Sequence, residues 1–341
     1  MYIIGTVGPN ISDKSVLKGI IQSGVNVLRF NFSHGNEQEF AGILKNAREI
    51  KEDIAVIVDL SGSKVRISDN FEYIYKIYDN EEIYFCGEDK YEKIKTNVGN
   101  FKNKVIPLNI KNRILYEGNH NRISIKDDTM IFKVKIKENE MIKAVTIKGG
   151  IVRKGKGCNI KDLNRDSFSL NEKDKKAIIW GLNHEIDIIC YSFVENEKNI
   201  KEVKEFIDSN VNGKHRPRIW AKLETVKGIN NTDAILKEVD GIVIGRGDLI
   251  PETSIEDTPI YEEKIISKVI KSEKKDLIIA THILNNMKIG KMPSISEVES
   301  VYGFIKLGVT GFLLAGETSI GKAPIKTVQF LKSLIDKYKI F

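Results

Sequence analysis

The sequence predicts a (β/α)₈ TIM barrel with a small all-β lid domain inserted after the third strand. Val- and Ile-rich runs alternate eight times with stretches of helical period along the chain. The alternation is interrupted between residues 63 and 149, where apolar and polar residues follow a two-residue period. The 341 residues are enough for a barrel of roughly 250 residues and one small additional module.

The barrel prediction rests on the order of its elements. The predicted strands lie near residues 3–7, 26–32, 54–59, 187–192, 218–223, 241–245, 277–281 and 311–314. The predicted helices lie near residues 12–22, 37–51, 171–183, 196–208, 228–238, 256–273, 295–307 and 323–338. Alternating strands and helices predict parallel βαβ units, and eight such units predict a closed barrel.

The interruption predicts a separate module. The segments that alternate at period two are NEEIYFCG, NRILYEG, NRISIKDDTMIFKVKIK and IKAVTIKGG, with turn residues between them. We therefore expect a β-barrel-like lid domain at 63–149 and a barrel formed by 1–62 and 150–341. A module after a strand end lies where barrel active sites open, so it is a candidate lid.

Composition limits the function classes. With 54 basic and 47 acidic residues the net charge is +7, but the basic residues form no block, so no nucleic-acid partner is expected. No apolar run approaches the roughly 18 residues that a membrane span needs. The cysteines are Cys86, Cys158 and Cys190, which form no CxxC pair, so we expect reduced thiols and a cytoplasmic location.

The second strand has an unusual polar face. Arg29, Asn31 and Ser33 alternate with Phe30 and Phe32, so the three polar residues share one face of the strand. An edge strand with a solvated face would also explain the pattern, although a closed barrel has no edge strands. The third strand ends at Asp59, which a simple turn would explain equally well.

Other strand ends carry charge. Lys222 and Glu224 share a face of the fifth strand, and a structural ion pair is a plain alternative to a functional role. The sixth strand leads into GRGDL with Asp248, where glycines allow a ligand to approach the backbone. The seventh ends at Thr281 and His282, and His282 is expected to be a packed bystander.

These residues converge on one end of the predicted barrel, where barrel enzymes place their catalytic groups. Glu224 and Asp248 are hard oxygen donors that suit Mg²⁺. The cations at the same end are Arg29, Lys64, Arg66 and Lys222. A metal ion surrounded by cations favours an anionic phosphate substrate and phosphoryl transfer. The sequence contains no GxxxxGK[ST] motif for nucleotide binding.

Several segments resemble the pyruvate kinase family in the same order and spacing: TVGPN, VNVLRFNFSHG, GGIVRKGKGCNI, AKLETVKGI, GRGDL, ATHIL and AGETSIGKAP. The resemblance implies Mg²⁺- or Mn²⁺-dependent transfer of a phosphoryl group between phosphoenolpyruvate and ADP, which gives pyruvate and ATP. It implies catalytic roles for Lys222, Thr281 and Arg29, and metal ligation by Glu224 and Asp248.

The resemblance also implies the binding residues. The substrate carboxylate would be held near Gly245, Arg246, Gly247, Asp248 and Thr281. The residues implied near ADP or ATP are Pro9, Asn31, His34, Arg66, Asp128 and Lys156.

A monovalent-cation site is implied as well. The family binds K⁺ at positions that match Asn31, Ser33, Asp59 and Leu60, but the Leu60 side chain offers no oxygen. Lys64 replaces the usual Glu nearby, and its ammonium can stand where K⁺ would lie, close to Asp59. We therefore expect activity without K⁺, as in the K⁺-independent branch of the family.

Other features leave alternatives open. The family's C-terminal regulatory domain is expected to be absent, and a homodimer or homotetramer through barrel surfaces is plausible. The chain could be a paralogue that acts on another enol phosphate or 2-oxo acid. An aldolase or lyase could use a similar metal-enolate pocket, but would need neither Lys222 nor the insert. A non-catalytic metabolite-binding protein is a third alternative.

Overall fold

The computed structural model describes residues 1–213, 215–272 and 274–339. Its strands are β1 (Tyr2–Thr6), β2 (Val27–Asn31), β3 (Ala55–Leu60), β4 (Val65–Arg66), β5 (Tyr75–Ile77), β6 (Glu82–Gly87), β7 (Val105–Leu108), β8 (Arg122–Ile125), β9 (Met130–Glu138), β10 (Met141–Lys148), β11 (Gly150–Val152), β12 (Gly157–Ile160), β13 (Ile188–Tyr191), β14 (Arg218–Leu223), β15 (Gly241–Gly245), β16 (Asp276–Ala280) and β17 (Gly311–Leu314).

A 3₁₀ helix spans Lys95–Asn100. The α-helices are α1 (Lys14–Gln22), α2 (Glu37–Ile50), α3 (Glu88–Ile94), α4 (Asn112–Glu117), α5 (Glu172–Asn183), α6 (Glu197–Asn210), α7 (Val226–Asn230), α8 (Thr232–Leu236), α9 (Arg246–Glu252), α10 (Thr258–Lys271), α11 (Asn285–Lys288), α12 (Ile295–Lys306), α13 (Gly316–Ser319) and α14 (Pro324–Tyr338). The predicted helix end at 273 and the predicted barrel end at 340–341 lie outside the described residues. Among those described, no helix has both the length and the apolar character that crossing a membrane requires.

Contacts divide the chain into two compact units. The barrel unit comprises Met1–Gly62, Ser169–Gly247 and Thr258–Phe341. The insert unit comprises Ser63–Phe168 and Asp248–Asp257. The division falls inside the short helix α9, so Asp248 belongs to the insert unit although it follows a barrel strand by only three residues.

The barrel unit contains a closed barrel in the strand order β1-β17-β16-β15-β14-β13-β3-β2. All its neighbouring strands pair in parallel, and the eight strands are the eight predicted from the sequence. The predicted (β/α)₈ barrel is thus confirmed. The edge-strand explanation for the polar face of β2 is wrong, because β2 pairs with β1 on one side and β3 on the other.

The inside of the barrel is built in layers. An apolar layer draws buried side chains from all eight strands: Ile4, Val27, Ile57, Ile188, Cys190, Trp220, Val243, Ile278, Ala280 and Leu313. Residues two positions further along a strand share the same face and form the next layer towards the carboxyl ends. On four strands, and directly after a fifth, that next residue is polar and buried, and we call Thr6, Arg29, Asp59, Ser192 and Lys222 the polar layer.

The barrel helices begin where the sequence supplies caps. Asn36 and Asn171 accept backbone N–H bonds at the starts of α2 and α5. Asn196 and Ser294 form capping boxes at the starts of α6 and α12. Such caps satisfy N–H groups that have no partner within the helix.

One predicted barrel helix was wrong in detail, and one helix was not predicted. The helix predicted at 228–238 is two short helices, α7 and α8, with Asn231 between them at φ −92° and ψ 10°. The segment after Gly245, for which no helix was predicted, begins helix α9 directly after β15. The single glycine of this seven-residue helix, Gly247, does not prevent it from forming.

The insert unit contains a seven-stranded sheet in the order β4-β12-β8-β9-β10-β6-β7 and a two-stranded sheet of β11 and β5. A bridge between Ile67, just after β4, and Leu108 of β7 links the two ends of the larger sheet. Its core includes Phe85 and Phe132, whose rings meet edge to face with centroids 5.2 Å apart.

The prediction that the insert is all-β was wrong in detail. NRILYEG, predicted as a strand, contains helix α4, and the chain between β6 and β7 forms α3 and the 3₁₀ helix. Helix α4 has six residues, of which only Leu115 is fully buried. A single buried position in so short a segment does not distinguish a helical period from a two-residue period. Glu88 and Asp89 favour α3 because carboxylates stabilise a helix N-terminus.

Candidate active site

Lys222 lies in the polar layer, one position before the end of β14, and is 7% exposed. Its ammonium donates to both carboxylate oxygens of Asp59, at 2.9 and 2.8 Å, and to Ser192 Oγ at 2.9 Å. Burial acts to lower the pKa of Lys222, but the attraction of Asp59 and Glu224 outweighs it, so the pKa is raised. The structure therefore holds a buried ammonium group in its charged form.

Asp59 holds two cations in place. Besides Lys222, Arg29 donates from Nε to Asp59 Oδ2 at 2.6 Å. Arg29 also donates to Thr6 Oγ1 at 3.0 Å, and Ser192 donates to Asp59 Oδ1 at 3.1 Å. Burial acts to raise the pKa of Asp59, but Arg29 and Lys222 overcome that effect and lower it. The carboxylate remains ionised and fixes both positive groups.

Glu224 follows the last residue of β14 and is 3% exposed. Its Oε2 accepts the backbone N–H of Phe193 at 3.0 Å, which orients the carboxylate. A Cβ atom at Gly245 would lie 2.5 Å from Glu224 Oε1, closer than two such atoms can approach. The glycine at the end of β15 therefore makes room for this carboxylate.

Thr281 lies directly after β16. Its hydroxyl accepts the backbone N–H of Gly247 at 2.8 Å and donates to Ala280 O at 2.6 Å. The hydroxyl thus contacts the glycine-rich segment that the sequence predicted to hold a substrate carboxylate.

The insert unit has its own charged cluster around Asp248. Lys64 forms an ion pair with Asp248 Oδ1, and Asn159 donates to the same oxygen at 3.2 Å. The amide of Asn159 also donates to Glu252 Oε1 at 3.3 Å, and Arg165 pairs with that oxygen at 2.9 Å. Glu252 and Arg165 are each 3% exposed in their side chains, so their ion pair is buried.

The other predicted nucleotide and cation residues of the barrel unit are more exposed. Pro9 and His34 are exposed, and Asn31 and Ser33 are half-buried. Asn31 Oδ1 accepts the backbone N–H of Ser33 at 3.1 Å, so the side chain stabilises the turn after β2.

Three predicted nucleotide residues lie in the insert unit. Arg66 donates to Gly155 O at 3.0 Å. Asp128 forms an ion pair with Arg122 at 2.6 Å, and Lys156 donates to the backbone carbonyl of Ile151. These contacts are separate, and none of them joins two of the three predicted residues.

The structure brings together the predicted residues Arg29, Asp59 and Lys222, and it also adds partners that the sequence reasoning missed. Ser192 and Thr6 complete the polar layer, and both are polar residues at or just after a strand end, which is the signal that identified the others. Asn159 lies in β12 of the insert and had no comparable signal.

The carboxylates predicted to bind metal are Glu224 in the barrel unit and Asp248 in the insert unit. Within the part of the chain that the structure describes, no three His, Cys, Asp or Glu side chains form a metal-binding group. Each carboxylate is nevertheless a ligand type that suits Mg²⁺, which usually takes one or two from the protein and fills its other positions with water and substrate oxygens.

Comparison with known proteins identifies the family of this chain. The family model described as "Pyruvate kinase, barrel domain" matches residues 1–328. Pyruvate kinase 1 of Saccharomyces cerevisiae is 30% identical over 338 residues, covering 96% of this chain and 65% of the relative. Pyruvate kinase of Thermococcus litoralis is 30% identical over 337 residues, covering 97% of this chain and 68% of the relative.

Pyruvate kinase of Clostridium perfringens is 28% identical over 346 residues, covering 98% of this chain and 69% of the relative. The chain thus spans about two thirds of the length of the curated relatives that it matches. The match to the barrel-domain model covers far more than half of the chain, and this protein therefore belongs to the pyruvate kinase family.

Proposed function

We propose that this protein transfers a phosphoryl group between phosphoenolpyruvate and ADP. In the direction of ATP formation the bond from phosphorus to the enol oxygen breaks and a bond to an ADP oxygen forms. The enolate then takes one proton at C3 and becomes pyruvate. The observation that supports this most directly is the ammonium group of Lys222, which is buried, charged and fixed in the polar layer.

Lys222 and Arg29 can stabilise the phosphoryl group during transfer. Phosphoryl transfer depends mainly on positioning and charge neutralisation. Fixed charges are effective because they need no reorganisation when negative charge develops. Asp59 provides that fixation, since it bonds both cations.

Glu224 and Asp248 are the proposed ligands of Mg²⁺ or Mn²⁺. When bound, the divalent ion would neutralise negative charge on the phosphoryl and enolate oxygens. The Phe193 N–H orients the carboxylate of Glu224, and Asn159 orients that of Asp248. In this structure Lys64 pairs with Asp248 Oδ1. Lys64 would therefore have to share that oxygen with the metal ion or give up the contact.

Thr281 is proposed to act at C3 of the enolate, where its hydroxyl, or a water held by it, would deliver the proton. The substrate carboxylate is proposed to bind backbone N–H groups from Gly245 to Asp248. The bond from Gly247 N–H to the Thr281 hydroxyl supports placing both functions together.

The nucleotide is proposed to contact Pro9, Asn31, His34, Arg66, Asp128 and Lys156. Residues 63–149 would act as the lid that closes over it. A cytosolic location and a homo-oligomer are expected from the family relationship alone.

K⁺ independence is the finer proposal. Leu60 is fully buried and has no side-chain oxygen for a cation. Asp59, implied as a K⁺ ligand, already bonds Arg29 and Lys222. We propose that the ammonium of Lys64 supplies the positive charge that K⁺ supplies elsewhere in the family.

The first experiment measures pyruvate formed from phosphoenolpyruvate and ADP with Mg²⁺. The wild type should be active, and Lys222→Met should lose activity by at least about 10³-fold. Lys227→Met is the control, because that lysine has a 43% exposed side chain and pairs with Glu195 at 3.5 Å. The control should retain its rate.

The same experiment should include other enol phosphates and 2-oxo acids. Activity on one of them alone would identify a paralogue with a different substrate. A wild type that binds phosphoenolpyruvate but turns over no substrate would support the metabolite-binding alternative and contradict the kinase.

The second experiment repeats the assay in tetramethylammonium buffer with and without K⁺. The wild type should show less than about a twofold response, and Lys64→Glu should become K⁺-dependent. Lys133→Glu, at an exposed position of β9, makes the same charge change without that effect. A strong K⁺ requirement in the wild type would contradict the proposal.

A further inference from the structure

Thr281 and His282 adopt an unusual backbone conformation. Their φ angles are +66° and +53°, in the left-handed region that residues other than glycine rarely occupy. The conformation is especially unfavourable for threonine, because its side chain branches at Cβ. Such a conformation is strained and persists only when the surroundings enforce it.

The guanidinium of Arg246 contacts this strained segment directly. Arg246 donates to Thr281 O from Nε at 3.0 Å and from Nη2 at 2.7 Å, and it also donates to His282 O. Two consecutive carbonyl groups are therefore bonded by one rigid planar group. A guanidinium can hold both at once because its donors have a fixed fork geometry.

The Arg246 side chain is in turn contacted by two outer helices, α10 and α12. Its Nε lies 3.8 Å from Glu262 Oε1 of α10, and both side chains are only 11–12% exposed. Its guanidinium carbon lies 5.4 Å from the ring centroid of Phe304 of α12. Burial raises the pKa of Glu262, although Arg246 acts in the opposite direction. Helix packing thus fixes the guanidinium that fixes the strained segment.

We propose that Arg246 is a positioning residue, which holds Thr281 in its left-handed conformation so that the hydroxyl lies beside the Gly247 N–H. The inference rests on the proposed function, in which Thr281 acts at C3 of the enolate. The predicted part of Arg246 in substrate binding concerned the backbone of residues 245 to 248. Its side chain has a different proposed role, which is to hold the backbone of Thr281.

Three variants test the proposal. Arg246→Met removes the donors but keeps apolar bulk against Phe304, and Arg246→Lys restores one cationic donor. Arg216→Met is the matched control, because Arg216 pairs with Asp208 at 2.8 Å and both side chains are about half exposed.

The structural readout is a crystal structure of Arg246→Met. We expect Thr281 to leave the left-handed region and its hydroxyl to lose the contact with the Gly247 N–H. A Thr281 that keeps both the conformation and the contact would overturn the proposal. This readout needs no activity, so it decides the proposal even if the wild type makes no pyruvate and the proposed function fails.

The kinetic readout is exchange of the C3 protons of pyruvate with deuterated water in the presence of Mg²⁺ and ATP. Arg246→Met should exchange about 100-fold more slowly, since small misplacements of a reacting group cost about that much. The KM for phosphoenolpyruvate should change by less than about threefold, because the carboxylate donors remain. Arg246→Lys should recover part of the exchange rate, and the control should match the wild type.

A merely structural role predicts a different outcome. Arg246→Met would then lower the unfolding temperature and the exchange and phosphoryl-transfer rates together, with no recovery in Arg246→Lys. If the wild type exchanges the C3 protons at a measurable rate, an equal rate in Arg246→Met would also overturn the proposal.

Discussion

The two units of the molecule organise buried charge in opposite ways. In the barrel unit one carboxylate, Asp59, bonds two cations, Arg29 and Lys222. In the insert unit one neutral amide, Asn159, bonds two carboxylates, Asp248 and Glu252. The first arrangement gathers positive groups around a negative centre, and the second gathers negative groups around a neutral one.

The difference shows how a protein can keep either sign of charge in a restricted space. Asp248 and Glu252 are four residues apart on α9, where two like charges destabilise a helix. The insert compensates with Lys64 on the first carboxylate and Arg165 on the second. In the barrel, two cations share the single carboxylate of Asp59. This cluster therefore carries excess positive charge, which is available to an anionic ligand.

Among variants that test this comparison, the largest effect is expected from Asp59→Asn, which removes the centre of the barrel cluster. Two buried cations would lose a shared counter-charge, so activity should fall about 10²–10³-fold and unfolding free energy by about 3–5 kcal/mol. Asp59 contributes to the raised pKa of Lys222, so the alkaline limit of activity should move to lower pH. Steady-state kinetics across pH and urea unfolding measure these changes.

Asp174→Asn is the control for that prediction. Asp174 is also buried in the barrel unit, but its carboxylate accepts neutral donors from Ser61, Gly62 and Asn171. It should lose stability without moving the alkaline limit. An Asp59→Asn protein with an unchanged rate and pH profile would contradict the special role of the barrel cluster.

Glu252→Gln should follow Asp59→Asn in size of effect, with a loss of stability in the insert unit but no comparable loss of activity. Breaking one side of a buried ion pair costs about 3–5 kcal/mol, because the remaining charge loses its partner. Native-state hydrogen exchange should show faster exchange in strands β8 and β12 of the insert but little change in the barrel strands.

The exposed helix pair Arg113–Glu117 supplies the matched comparison, since its side chains are 82% and 64% exposed. Glu117→Gln should cost less than about 0.5 kcal/mol. The double variant Arg165→Met/Glu252→Leu should regain much of the loss, because an apolar pair can replace a buried ion pair. Unchanged protection in Glu252→Gln would show that the insert does not depend on this pair.

The smallest expected effect is a pH dependence from His120 in the insert unit. Burial lowers the pKa of His120 below its ordinary value of 6.5. The unfolded chain therefore binds a proton more readily than the folded one, and stability should fall as pH decreases below 6.5, by at most about 1.4 kcal/mol per pH unit. Hydrogen exchange between pH 7.5 and 5.5 measures this.

His120→Gln should flatten that dependence. The control is His215→Gln, because His215 is exposed in the barrel unit. The same slope in His120→Gln and the wild type would exclude His120 as its source.

The sequence predicted much of the barrel site but not its contacts. The two-residue period put Arg29 and Phe30 on opposite faces of β2, and in the structure Arg29 bonds Asp59 whereas Phe30 packs against Phe40 and Trp180. It also placed Lys222 at a strand end, with an ion pair to Glu224 as the alternative to a functional role. The structure shows Asp59 as a direct partner of Lys222.

The partner of Lys222 depends on strand order. β13 pairs with β3 on one side and β14 on the other, so Asp59 and Lys222 face each other across one strand. Ser192 directly follows β13, the strand between those of Asp59 and Lys222, and its hydroxyl bonds both side chains. No local pattern shows which strand ends will be neighbours.

The sequence by itself determined the eight strand–helix units, the interruption after the third strand and the polar residues at the strand ends. These features follow from local periodicity, which depends only on residues a few positions apart. Tertiary structure alone decided that Asp59 binds two cations, that Asn159 joins two carboxylates and that Arg246 holds Thr281. Those contacts join residues 30 to 163 positions apart, so they depend on barrel closure and strand register, which local patterns do not encode.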